Sequence, residues 1–157
     1  MPDQRPPRLA GGERATLLAL LQYQRESLVR KVLSADERAA STSPVPSGTT
    51  LAWLVAHLAM AESSWVEQRF AGVEPDPIDL PAGRAATIAE AVAAYREVWP
   101  RIDAVVAASD LDATCVGDET TPNVNLRWVL AHLLEETARH AGHADVLREL
   151  LDGETGR

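Results

Sequence analysis

The sequence contains a single cysteine, one phenylalanine and two tyrosines among its 157 residues. The lone Cys115 excludes an intrachain disulfide and also a zinc site built from several cysteines. We predict no catalytic role for it, because the acidic residues of its loop would raise the pKa of the thiol and keep it protonated. So little cysteine is typical of a reducing compartment, and we predict a cytoplasmic protein.

Positive charge is scarce as well. Fifteen lysines and arginines stand against 23 aspartates and glutamates, which gives a formal net charge of −8. Binding to nucleic acid or to an anionic membrane surface needs clustered positive charge, so we predict neither partner. We interpret the basic residues Arg25, Arg30 and Lys31 as the solvated side of a helix. No apolar run approaches the roughly 20 residues of a membrane span, and "MPDQRPPRLAGGE" does not resemble a signal peptide.

Alanine, leucine and valine supply most of the apolar residues, and arginine and glutamate most of the charge, a composition that favours helices. Capping residues and glycines indicate where four helices begin and end. The predicted helices run from about Glu13 to Leu33, from a cap at Thr49 or Thr50 to about Phe70, from a capping box of Thr87 and Glu90 to about Ala108, and from a cap at Asn123 or Asn125 to about Asp152, before Gly153.

The segments "ASTSPVPSG", "GVEPDPIDLPAG" and "SDLDATCVGDETTPNVN" separate these helices, and Pro100 should kink or split the third. Four amphipathic helices of about twenty residues in one chain predict an all-α four-helix bundle. We expect one domain over residues 13–153, a flexible tail over residues 1–12 and a short tail over residues 154–157.

The fourth helix carries polar residues on its apolar face. At about 100° per residue, Glu136 and His140 fall within the apolar stripe and should project into the bundle. The same projection turns Glu135 and Asp145 toward water and leaves His143 at the edge of the stripe. His132 lies further round, so we interpret it as a surface or interface residue. The apolar stripe itself consists of Val129, Leu133, Ala144 and Leu147.

The second helix brings a third polar residue to the interior, because His57 lies at the margin of an apolar face, beside Trp53. That face consists of Leu54, Leu58, Ala61 and Trp65. A buried carboxylate is costly unless it is paired or coordinated. If the second and fourth helices are neighbours, His57, Glu136 and His140 can converge on a divalent metal. Two imidazoles and one carboxylate suit zinc, nickel or iron(II) and leave a coordination position open for a reactant.

A purely structural interpretation stays open at this point, since Glu136 can pair with a buried histidine or with Arg139. We expect His143 or Arg139 to support the site by positioning a ligand or a substrate. The tryptophans are predicted to lie mostly in the core, as such side chains usually do, although Trp53 could also form a pocket wall. They are Trp53, Trp65, Trp99 and Trp128.

The segments "LAWLVAHLAMAESSW" and "NLRWVLAHLLEETARHAGHADVLRELLDG" resemble the DinB-like superfamily. The likeness extends from about Ala15 to Gly153 and is greatest to an actinobacterial branch of mycothiol-dependent metalloenzymes. It implies a four-helix bundle with crossed-over connections and a divalent metal between the helices. Three histidines bind the metal in many members, whereas Glu136 replaces one of them here. This set is similar to the two-histidine, one-glutamate zinc site of mycothiol-dependent maleylpyruvate isomerase.

The resemblance implies a transferase that uses a low-molecular-weight thiol, of the mycothiol type, on a small electrophile. The expected cofactors are a divalent metal, with zinc as the first choice, and mycothiol. Homodimers are common in the superfamily, so a homodimer is compatible with the resemblance. Two alternatives remain: a metal-dependent hydrolase with the same ligands, or a non-catalytic bundle that binds a small ligand or a protein.

Overall fold

The computed structural model describes residues 4–80, 87–116 and 123–155. Four of the predicted segments therefore lie partly outside the described residues. These are the end of the second proline-rich segment, the middle of the third connection, and the outer residues of both tails.

Within the described residues the chain is helical, and five α-helices are present. The short helix α2 is absent from the sequence-based prediction; its first turn is capped by Asp36, whose carboxylate accepts a hydrogen bond from the Ala39 N–H. The four long helices are confirmed. The helices are α1 (Glu13–Leu33), α2 (Glu37–Ser41), α3 (Leu51–Ser63), α4 (Ile88–Ala108) and α5 (Leu126–Asp152).

The predicted caps account for where the long helices begin and end. The hydroxyl of Thr50 accepts from the Trp53 N–H at 3.1 Å. The capping box at the start of α4 is formed as predicted, with the Glu90 side chain accepting from the Thr87 N–H at 2.9 Å. Of the two asparagines proposed for α5, Asn125 is the cap.

The helices differ from the prediction at two places in their interior. The second predicted helix continues to Phe70, but its last part, Ser64–Phe70, is a π-helix. Nothing in the residue pattern distinguishes this wider turn from an α-helix, and such turns are frequent at functional sites. Pro100 lies inside α4 without splitting it, so the predicted break is wrong there, while a kink stays a prediction.

The long helices pack in a crossed order. α1 packs mainly along α5, and α3 packs mainly along α4, while α3 also contacts α5. The connections from α1 to α3 and from α4 to α5 therefore join helices that are not each other's main partners. This arrangement places α3 beside α5, as the proposed metal site requires.

A sealed ionic cluster in the core overturns one sequence-based interpretation. Arg25 is only 1% exposed, so it does not belong to the solvated side of α1. Its Nε donates to Glu62 Oε1 at 3.0 Å, and the Tyr95 hydroxyl donates to the same oxygen at 2.6 Å. Arg25 also pairs at 3.1 Å with Asp103. We call Arg25, Glu62 and Tyr95 the sealed cluster.

The electrostatics of the sealed cluster follow from its burial. Burial opposes the charge on Arg25, but the carboxylate of Glu62 more than offsets it, and the pKa of Arg25 is raised. Burial and the same carboxylate raise the pKa of Tyr95 well above its usual value, so the phenol stays a hydrogen-bond donor. The cluster joins α1, α3 and α4 with both charges paired, as burial of charge requires.

Candidate metal centre

The structure brings together the three residues proposed as metal ligands. His57 extends from α3, and Glu136 and His140 extend from successive turns of α5. Their potential ligand atoms all lie within 4.8 Å of one another. Glu136 Oε1 is 3.1 Å from His57 Nε2 and 3.0 Å from His140 Nε2. We call these three residues the open cluster.

The open cluster is partly accessible from solvent. The side chain of His57 is 31% exposed, whereas those of Glu136 and His140 are 16% and 11% exposed. The predicted inward direction of Glu136 and His140 is therefore confirmed, and His57 lies at the margin, as expected. The side of His57 is therefore the most exposed side of the cluster.

Two pKa shifts favour the charge states that a cation needs. Burial raises the pKa of Glu136, but hydrogen bonds from His57 and His140 outweigh it, so the pKa of this carboxyl is lowered. Burial lowers the pKa of His140, and the nearby Glu136 carboxylate offsets this only in part. An ionised carboxylate beside a neutral imidazole is the pair of states that binds a metal.

Two of the three separations between the donor atoms are compatible with a shared divalent ion, and the third is no more than 4.8 Å. Ligand atoms about 2.0–2.1 Å from a tetrahedral zinc lie roughly 3.3 Å from each other. The two nitrogen–oxygen separations, 3.0 and 3.1 Å, are within a few tenths of an ångström of that value. One carboxylate oxygen and two imidazole nitrogens are also donors that zinc accepts.

The predicted supporting residues surround the open cluster. His143 Nδ1 lies 3.3 Å from His140 Nδ1, on the side of the ring opposite the nitrogen that faces Glu136. Arg139 is 54% exposed, and it lies 3.4 Å from Glu136 Oε2 and 2.6 Å from Glu135. The alternative pairing of Glu136 with Arg139 and a histidine is thus present alongside the proposed ligand arrangement.

The tryptophans differ from the prediction that most of them lie in the core. Trp99 is buried, but Trp53 and Trp128 are 49% and 44% exposed. The Trp53 ring stacks on His57, with centroids 4.9 Å apart and planes 6° apart. Trp53 thus covers one face of this imidazole and forms a wall beside the cluster. The core prediction failed because it rested on residue type, whereas both residues lie off the apolar stripes of their helices.

The remaining polar residues lie away from the open cluster. Glu135 is exposed, and Asp145 is partly exposed and pairs with Lys31. His132 is half-buried and packs against Trp65 and Trp128, not against the other histidines.

Cys115 has no contact with the open cluster that would give it a role there. It is buried, and burial raises the pKa of its thiol. The predicted direction of the shift is right, and burial is its largest cause; the acidic residues Asp118 and Glu119 lie outside the described residues.

Comparison with known proteins gives the family. The family model of mycothiol-S-transferases matches residues 16–153, which include every long helix and all three residues of the open cluster. The chain belongs to the mycothiol-S-transferase family. This match supports the DinB-like superfamily but not the finer resemblance to maleylpyruvate isomerase.

Solved structures show the same fold. A conserved protein from Enterococcus faecalis, known from its crystal structure, is similar to this chain with a TM-score of 0.66. The similarity covers 92% of this chain and 100% of the other, at 17% sequence identity, so it concerns the fold alone. A search of curated proteins finds no match. Among the described residues, no helix has the length and apolar character needed to cross a membrane.

Proposed function

We propose that this member of the mycothiol-S-transferase family transfers the thiol of mycothiol to a small electrophile and uses a divalent metal, zinc by preference, held by His57, Glu136 and His140. The observation that carries the proposal is the convergence of three metal-binding side chains from two helices at a partly exposed position. The family match independently supports mycothiol as the thiol.

Each residue of the open cluster has a defined part in this function. His57 and His140 present Nε2, and Glu136 presents Oε1, which are the three atoms that face one another. The carboxylate offsets the charge of the ion, and the exposed side of His57 leaves room for a reactant. When bound, a divalent ion supplies positive charge that favours the thiolate form of a thiol, which is the nucleophilic form.

Neighbouring side chains would hold the geometry. With Nε2 used as a ligand atom, neutral His140 carries its proton on Nδ1 and donates it to His143 Nδ1, 3.3 Å away. Such a hydrogen bond fixes both the tautomer and the orientation of a ligating ring. Trp53 keeps water from one face of His57 and offers an apolar wall to the electrophile. Arg139 stands at the rim, where its charge can orient an anionic electrophile.

The test measures metal content and thiol transfer in the same untagged protein. We expect close to one equivalent of divalent metal for each chain, and consumption of mycothiol by an electrophile that stops when a chelator removes the metal. His57→Gln should lose the metal and the chelator-sensitive rate together.

A histidine outside the open cluster supplies the control. His132→Gln should retain its metal, because His132 lies among tryptophans on the same helix as His140. A metal-free wild-type protein, or mycothiol consumption that a chelator leaves unchanged, would contradict the proposal. In that case the open cluster is only a set of hydrogen-bonded core side chains.

A further inference from the structure

A second aromatic surface lies on the same helical segments as the open cluster. The Trp65 ring is 5.4 Å from the Trp128 ring and 4.9 Å from the His132 ring, centroid to centroid. Trp128 and His132 stack on each other at 5.0 Å with an angle of 17°. Trp128 nevertheless remains 44% exposed. We call these three residues the aromatic trio.

Helical spacing connects the aromatic trio with the open cluster. His57, Ala61 and Trp65 follow one another at intervals of four residues along α3 and its π-helical continuation. On α5, Trp128, His132 and Glu136 likewise follow one another at intervals of four residues. Residues four apart lie on one side of a helix. Since the two rows contact each other at both ends and their residues are all at least partly exposed, they form one strip of surface between α3 and α5, which we call the groove.

The same two rows of residues give the length of the groove and the residue at its midpoint. Eight residues separate the two ends on each helix, a rise of about 12 Å. Ala61 lies midway and is only partly buried. Because alanine has only a methyl group, a larger side chain at this position would extend into the groove.

We propose that this groove binds the sugar–cyclitol part of the thiol cosubstrate, with the aromatic trio as its platform; the inference rests on the proposed function. Mycothiol is an N-acetylcysteine joined through an amide to a sugar and a cyclitol, so its sulfur and its rings are far apart in one molecule. With the sulfur at the open cluster, the rings reach toward the far end of a groove of about 12 Å.

The chemistry of the aromatic trio suits an uncharged polyol. The C–H bonds on one face of a sugar ring carry slight positive charge and pack against the negative face of an aromatic ring. The exposed surface of Trp128 offers such a face. The Arg69 guanidinium lies 4.5 Å from the centre of the Trp65 ring, where its N–H groups can donate to hydroxyl oxygens.

In this arrangement the small electrophile, the other reactant, packs against Trp53. Trp53 contacts His57 directly, at the opposite end of the open cluster from the groove. A small electrophile that packs against the exposed part of this ring lies directly beside the proposed ligands. The two aromatic surfaces thus separate the two reactants, one on each side of the open cluster.

Binding of two thiols to the zinc-loaded protein, measured by calorimetry, tests the subsite. Mycothiol and N-acetylcysteine carry the same sulfur group, and only mycothiol carries the rings. We expect wild-type protein to bind mycothiol at least about tenfold more tightly. Trp128→Leu should reduce this preference about three- to tenfold, as expected for the loss of one aromatic contact. Ala61→Leu, which narrows the groove, should also reduce it.

Leu150→Ala is the control, since Leu150 is an exposed apolar residue of the same helix as Trp128 but lies near its C-terminal end. It should leave the ratio of the two affinities unchanged. Metal content, measured in every variant, should stay at the wild-type level.

The outcomes separate the subsite from the proposed function. If Trp128→Leu and Ala61→Leu bind both thiols with the wild-type ratio while chelator-sensitive transfer continues, the subsite is wrong and the function stands. If the variants weaken both thiols equally, the aromatic trio does not recognise the rings, and the subsite is again overturned. If zinc-loaded wild-type protein binds neither thiol, the proposed function fails and the subsite fails with it.

Discussion

The sealed cluster and the open cluster use similar groups in opposite ways. In each, a glutamate of one helix contacts a basic side chain of another helix, Arg25 in the first cluster and His57 in the second. Glu62 is fully buried and its oxygens are occupied by Arg25 and Tyr95, whereas Glu136 faces two imidazoles beside a partly exposed surface. A buried charge whose partners are all supplied by the core, such as Glu62, stabilises the fold. A charge that faces imidazoles at a partly exposed position, such as Glu136, can also bind a cation or a substrate.

The largest effect on stability is expected from Glu62→Ala. This change leaves Arg25 buried without its main partner and should lower the free energy of unfolding by about 3–5 kcal/mol. Urea denaturation of metal-free protein measures this directly. Glu149→Ala, on the exposed side of α5, is the control and should cost no more than about 0.5 kcal/mol. A loss below about 1 kcal/mol for Glu62→Ala would mean that the sealed cluster is not structural.

A smaller loss is expected from Tyr95→Phe. The phenol donates to Glu62 Oε1 at 2.6 Å, and a hydrogen bond to a charged group contributes about 1.5–3 kcal/mol. The same denaturation experiment should show a loss in that range. Metal content should not change, because the sealed cluster is separate from the proposed ligands. Tyr23→Phe, on half-buried Tyr23, provides the matched control.

Glu67 has an intermediate environment, since it pairs with Arg101 at 2.6 Å and its side chain is 12% exposed. Burial raises the pKa of Glu67, but hydrogen bonds from Arg101 and Ser63 outweigh it and lower the pKa. A lowered folded-state pKa stabilises the protein above the ordinary carboxyl pKa, and this is lost as the pH falls through the folded value.

Glu67→Gln should therefore cost roughly 1 kcal/mol at pH 7. The difference from wild type should shrink as the pH falls below the ordinary range of carboxyl pKa values. Unfolding free energies measured across that range check the sign. A difference that grows on acidification would contradict the assigned pKa direction.

The smallest effect on metal-free stability is expected from Glu136→Gln. Its neighbours remain near solvent, so the change should stay within about 1 kcal/mol. Added zinc should separate the two proteins further. It should raise the melting temperature of wild-type protein, because an ion that binds only the folded state stabilises it. The same addition should leave Glu136→Gln nearly unaffected. An equal zinc-induced shift in both proteins would place the metal elsewhere.

Much of the fold could be predicted because short-range signals determine the ends of helices. Thr50, Thr87, Asn125 and Gly153 all act as predicted. The inward direction of Glu136 and His140 followed from helical periodicity. Their approach to His57 depended on which helices are neighbours, which a single sequence does not contain.

The failures have physical causes too. Arg25 lies on the same face of α1 as the buried Leu21 and Leu28, so the periodicity applied to α5 would have placed it in the core. It was assigned to solvent because of its charge. Trp53 and Trp128 were assigned to the core by residue type in the same way. The π-helix was missed because Ser64–Phe70 contains no proline or glycine and continues the helical pattern of α3, so nothing in it marks the wider turn.

X-ray absorption at the metal edge of untagged, metal-loaded protein reports directly on the atoms that hold the ion. If His57, Glu136 and His140 are the ligands, the spectrum should show nitrogen and oxygen atoms at about 2.0–2.1 Å and the scattering signature of two imidazole rings. His57→Gln, prepared in the same way, should retain no metal and give no absorption edge above background, and His132→Gln should keep the signature of two rings. A spectrum that His57→Gln does not change would show that the metal, if bound, is not held by the open cluster.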